Sequence, residues 1–172
     1  MPLPDLRKGI DLLLRQGDCG RYVQDLIDKV AEQTGNPFVS DYAPDLFDTI
    51  SGQGGVAFRP ADPNRSETGG TVSGSIKGGD ATIIITPQPS GPGFSTARNL
   101  TPYGLRLAIY DYVRAGLHET IHLAGYNKHY TDKELALAAH ALNPKSWLPE
   151  NGQGYSDSFD AELAKHCTGP KE

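Results

Sequence analysis

The residues His118-Glu119-Thr120-Ile121-His122 place two histidines four positions apart, with a glutamate directly after the first. On a helix, positions i and i+4 project from one face, one turn above the other. Both imidazoles can then reach a single Zn²⁺ at roughly 2.0–2.1 Å. The glutamate falls beside the open coordination position, where it can take a proton from water and hand it to a leaving amine. With 5 His and 7 Glu in 172 residues, chance supplies about 0.006 copies of this pattern. The competing reading is a helix that carries two surface histidines.

The pattern needs a helix that holds both side chains over a cleft. Thr101-Pro102 reads as its start, a cap followed by proline at the first helical position. Ile109, Val113, Leu117, Ile121 and Ala124 recur at helical spacing and form an apolar face. His118 and His122 lie on another face, so the pair can point into a cleft while the apolar side packs. Gly125 reads as the stop.

The remaining elements are legible in outline. Leu6, Ile10, Leu13 and Leu14 give a short amphipathic segment within 5–15. A stronger helix follows, with Asp18 as its cap, Tyr22, Val23, Leu26, Ile27 and Val30 on one face, and Gly35 and Pro37 at its end. Residues 45–50 read as a helical turn or two. The segment 51–100 turns to Gly, Pro, Ser and Thr. Within it Val56–Phe58, 71–76 and 81–86 read as strands, the last two joined through Gly78-Gly79 as a hairpin. A long loop, 87–100, leads into the histidine helix. Beyond Gly125, Thr131-Asp132-Lys133-Glu134 is a capping box ahead of Leu135, Ala136, Ala138, Ala139 and Leu142, and Asn143-Pro144 ends that helix. A last helix near 157–166 carries Phe159 and Leu163. Helices, a small antiparallel sheet and helices again make an α+β fold, expected as one domain over 1–172.

The net charge of −5 argues against nucleic acid and against an anionic membrane surface as partners. No apolar run approaches the 18 residues that a bilayer span needs. Met1-Pro2-Leu3-Pro4-Asp5 has neither the basic nor the apolar region of a signal peptide. The chain is therefore either cytoplasmic or a processed part of a larger exported protein. Cys19 and Cys167 are the only cysteines. A bridge between them would close a loop of about 148 residues and contribute about 4–5 kcal/mol in the chain-entropy picture; the alternative is two buried free thiols. The bridge is the expectation, and with it an extracytoplasmic or secreted setting.

A catalytic zinc usually takes three protein ligands and a water. His129, Asp132, Glu134 and His140 are the candidates for the third. The segment His118–Asp132 resembles the zincin metallopeptidases, which carry HExxH on a helix behind a sheet. The metzincin subgroup does not fit, because Lys128 stands where its last histidine would be. The aspzincins, the deuterolysin-like group, take an aspartate about ten residues after the second histidine, and Thr131-Asp132 resembles that arrangement. The stretch from His122 through Leu123-Ala124-Gly125, Tyr130-Thr131-Asp132 and Leu135-Ala136 also resembles HExxH domains at the ends of large RHS-repeat exported proteins. Leu163 and Cys167 match their terminal Leu-x-x-x-Cys. The match covers about 20 residues.

Asp132 ranks first as third ligand and His129 second, with helix capping as the alternative role for Asp132. The resemblance implies a single-domain, monomeric zinc metallopeptidase acting on peptide or protein substrates. His118, His122 and Asp132 would hold Zn²⁺, with Glu119 as general base and then acid. Tyr130 or Tyr126 is a candidate hydrogen-bond donor to the oxyanion. Asp111 could orient a ligand histidine, and Ile83–Ile85 is the candidate edge strand for an extended peptide. Two rivals remain open. One is a non-catalytic, zinc-stabilised binding domain. The other is a toxin-like effector protease released from a larger exported protein.

Overall fold

The computed structural model describes residues 6–15, 17–39, 57–65, 70–74, 80–85, 102–150 and 154–167, without the side chains of 63 and 102–109. The expected turns at 45–50, the Gly78-Gly79 link and the loop 87–100 lie outside these residues, as do Thr101 and the side chain of Ile109. The described elements run α1 (Leu6–Arg15), α2 (Gly17–Thr34), β1 (Ala57–Pro60), a 3-10 turn (Pro63–Arg65), β2 (Thr71–Ser73), β3 (Thr82–Ile85), α3 (Pro102–His122), α4 (Asp132–Leu142) and α5 (Tyr155–His166). The class is α+β.

The first two helices follow their apolar periods. Leu6, Ile10, Leu13 and Leu14 are buried on α1, and Tyr22, Val23, Leu26, Ile27 and Val30 on α2. Helix α2 begins at Gly17, so Asp18 sits inside the first turn rather than capping it. An acidic residue there favours the positive end of the helix dipole. Gly35 closes the helix with φ 71° and donates from its N–H to the Ala31 carbonyl at 2.8 Å. That left-handed conformation is the glycine ending of a helix.

The sheet is mixed rather than wholly antiparallel. Its order is β1-β3-β2, with β1 parallel and β2 antiparallel to β3. Phe58, Ile83 and Val72 align across the three strands. Such cross-strand rows are what hold a small sheet together. Strand β3 lies in the middle, with Ile83 and Ile85 fully buried. Both of its edges are paired, so it is not the edge strand that its sequence position suggested. The outer strands of the described sheet are β1 and β2.

Helix α3 packs against α1, β3 and β2, while α4 packs between α2 and α5. The C-terminal half of α3 is buried on every side. Val113, Leu117 and Ile121 are enclosed as expected, and so are Asp111, Arg114, His118, Glu119 and Thr120. Helix α3 stops at His122, three residues before Gly125. Gly125 is required by close approach: a Cβ there would lie 2.1 Å from the Lys128 carbonyl oxygen and 2.7 Å from Asn36 Nδ2.

The capping box of α4 forms in full. The Glu134 N–H donates to Thr131 Oγ1 at 3.1 Å, and the Thr131 N–H donates to Glu134 Oε1 at 2.9 Å. Phe159 and Leu163 are fully buried on α5. Cys19 and Cys167 form a disulfide that joins the start of α2 to the end of α5. Among the described residues no helix is long and apolar enough to cross a membrane.

Candidate metal centre

Helix α3 presents His118 and His122 one turn apart, and the start of α4 brings Asp132 against them. His118 Nε2 lies 3.0 Å from His122 Nε2 and 3.3 Å from Asp132 Oδ1. His122 Nε2 lies 2.9 Å from the same oxygen. Atoms bound at roughly 2.0–2.1 Å around a tetrahedral ion stand about 3.3–3.4 Å apart. The observed triangle reaches that size with a few tenths of an ångström of expansion. These three residues could hold a metal ion.

The ring chemistry fits the same use. His122 Nδ1 lies against the backbone carbonyl of Tyr130. A carbonyl only accepts, so His122 Nδ1 carries the proton. His118 Nδ1 lies 2.5 Å from Asp160 Oδ1. An ionised carboxylate also only accepts, so His118 Nδ1 is the donor here too. In neutral rings both Nε2 lone pairs are then bare and converge on the Asp132 oxygen. Orientation of ligand histidines by an acceptor on the far nitrogen is the usual outer arrangement of a metal site. Phe159 walls the ring of His118, with centroids 4.8 Å apart.

The grouped side chains shift one another's ionisation. Burial disfavours charge on His118, but hydrogen bonds to Asp132 and Asp160 and the charges of Asp160 and Glu119 outweigh it. The imidazole is pushed up to about 10. Asp132 is also partly desolvated, yet its hydrogen bonds to His118 and His122 hold it well below the usual carboxylate range. Glu119 is raised, chiefly by burial, against the opposing pull of the two histidines. Its Oε1 lies 3.8 Å from His118 Nε2, beside the ligand triangle rather than in it. Gly70, just before β2, backs onto this carboxylate: a Cβ there would sit 2.4 Å from Glu119 Oε1.

The other expected residues are placed elsewhere. His129 Nε2 hydrogen-bonds the Gly74 carbonyl at 2.6 Å, tying the loop after α3 to the end of β2. It is not among the three converging ligands. Tyr130 is fully buried, and its hydroxyl donates to the Asn36 carbonyl at 2.9 Å. Its part in the site is its backbone carbonyl, not its phenol. Tyr126 is half exposed, with its N–H on the Pro37 carbonyl. Asp111 pairs with Arg114 at 3.0 Å, and the carboxylate on the Nδ1 of His118 is that of Asp160. His140 hydrogen-bonds Ser146 at 3.2 Å, and Glu134 is engaged in the capping box.

Two contributors were missed in the sequence. Asp160 left a trace: it lies three residues before Leu163 and seven before Cys167, on the buried stripe of α5. A carboxylate there needs a partner. Asn36 left none, because an asparagine between Gly35 and Pro37 reads as a turn residue.

No protein-family model, curated protein or solved structure matches this chain.

Proposed function

We propose that the chain is a zinc-dependent metallopeptidase domain of zincin-like design. The observation that carries this reading is the convergence of His118 Nε2, His122 Nε2 and Asp132 Oδ1 with the buried Glu119 carboxylate alongside. Imidazole and carboxylate together suit zinc. Three protein donors leave a coordination position open, as catalysis requires and a closed structural site does not. His129, whose participation would favour the binding-domain rival, is held instead by Gly74.

The ion, when bound, supplies Lewis acidity that polarises a carbonyl and brings the ionisation of water towards neutral pH. The protein does the rest. Asp160 and the Tyr130 carbonyl fix both imidazoles with Nε2 bare. Glu119 accepts a proton from the attacking water and delivers it to the amine nitrogen as the peptide C–N bond breaks. Burial raises its proton affinity, which suits a group that must take a proton and then return it. An extended substrate would pair along the outer edge of β2, which carries no partner among the described residues. Gly70 brings the start of that strand against Glu119.

The disulfide fits an oxidising compartment and favours an exported role, including that of an effector domain. The test is turnover of an unfolded protein substrate with zinc present. Glu119→Gln should keep the metal and lose about 10²–10⁴-fold in kcat. Undiminished turnover in that variant would overturn the mechanism.

A further inference from the structure

One buried residue outside the loop between the second histidine and Asp132 binds it through both ends of its side chain. Asn36 is only 4 % exposed. Its Nδ2 donates to the Lys128 carbonyl at 2.9 Å, and its Oδ1 accepts from the Asn127 N–H at 2.9 Å. Its own carbonyl accepts from the Tyr130 hydroxyl at 2.9 Å, and its N–H donates to Thr34 Oγ1 at 3.1 Å. Three of these bonds grip residues 127–130. The following residues extend the grip: Phe38 bridges to Gly125, the Val39 N–H donates to the Ala124 carbonyl, and the Tyr126 N–H donates to the Pro37 carbonyl. Gly125 admits Asn36 because no Cβ stands in the way.

This loop delivers two parts of the metal centre. The Tyr130 carbonyl is the acceptor that sets the tautomer of His122. Asp132, two residues on, supplies the third ligand atom. The strand of contacts therefore runs from Asn36 through Tyr130 to His122, while His118 is set separately by Asp160 on α5.

We propose that Asn36 is a positioning residue for the metal centre, acting on the His122–Asp132 arm and not on His118. This rests on the metal-site reading above. Its physical basis is satisfaction: buried Asn36 uses both ends of its amide, so removing the side chain leaves the Asn127 N–H and the Lys128 carbonyl without those partners. The loop then loses the two side-chain bonds that fix Asn127 and Lys128 just ahead of Tyr130 and Asp132.

The test uses the intact protein and zinc alone. Zinc affinity is measured by competition with a chromophoric chelator, and the two His Nδ1–H protons are followed by NMR. Asn36→Ala should lower zinc affinity by about 10–100-fold and lose the His122 Nδ1–H signal while that of His118 persists. Asn36→Asp keeps the acceptor for Asn127 but not the donor to Lys128, and should give the same selective loss if the alanine variant fails to fold. Leu13→Ala, which opens a cavity in α1, controls for general destabilisation and should leave both signals in place. Unchanged affinity with both signals intact would overturn the proposal. So would equal loss of both signals, matched by the control. Absence of zinc uptake by the unaltered protein would instead sink the metal reading; the positioning claim would then be decided by the metal-free His122 signal, present in the parent and lost in the variant.

Discussion

Asp160 Oδ1 accepts a hydrogen bond from His118 Nδ1 at 2.5 Å, joining α5 to α3 across 42 positions of sequence. Both residues are buried. The bond makes the last helix part of the candidate metal centre, although α5 contributes none of the three residues that could hold the ion. The disulfide at Cys167 then anchors the end of that helix to α2.

Loss of this acceptor should be felt at the metal. Asp160→Ala is expected to weaken zinc binding by about 10–100-fold, and Asp160→Asn by less, because its amide oxygen can still accept. Chelator competition measures both. Equal affinity in the parent and in Asp160→Ala would show that His118 needs no orienting partner.

If the proposed site takes up a metal, the charge on His118 should set the pH dependence of that uptake. Without metal the imidazole stays protonated up to about 10. An incoming ion needs the Nε2 lone pair, so binding must expel a proton. Apparent zinc affinity should therefore rise with pH, by about tenfold per unit across the neutral range. The metal-free fold should behave in the opposite sense. A pKa raised above its unfolded value of 6.5 gives stability that is fully present below 6.5 and lost as pH rises through about 10. Calorimetry in buffers of different ionisation enthalpy reads the released proton. A pH-independent affinity would contradict the assignment of that charge.

Gly70 offers an experimental way to separate the proposed role of Glu119 from that of the candidate metal-holding residues. A methyl group at this position would lie 2.4 Å from Glu119 Oε1, and the carboxylate must move. Gly70→Ala should keep zinc at full stoichiometry and lose kcat on an unfolded protein substrate by about 100-fold, the cost of misplacing a catalytic group by about an ångström. Loss of zinc along with activity would mean that the position supports the ligands rather than Glu119.

Much of this arrangement is written locally. The histidine pair, the capping box that sets Asp132 at the start of α4, and the buried faces of α1 and α2 all follow from short-range spacing. The sequence offers only one cysteine pairing, but whether Cys19 and Cys167 bridge or stay free thiols was decided by the fold, which brings the start of α2 to the end of α5. The rest depends on what the chain brings together over distance. Strand β1 joins β3 in parallel, and no hairpin signal can announce that. The pairing puts β3 in the middle, so the apolar run Ile83–Ile85 is a core strand and not a substrate edge. Tyr130 looked like a hydroxyl donor because its side-chain chemistry is visible in the sequence, while the use of its backbone carbonyl is not. His129 was credible by spacing alone, until the end of β2 turned out to hold it. Asp160 acts from α5 and Asn36 from the segment just after α2, both remote in sequence from the histidine pair.

The central claim is a zinc centre built on His118, His122 and Asp132. Its most direct test is metal content by elemental mass spectrometry on protein purified without a metal-affinity tag, with His118→Ala/His122→Ala as the control. The account predicts about one zinc per chain, absent from the control. No zinc in the parent protein, even after reconstitution with equimolar Zn²⁺, would contradict it.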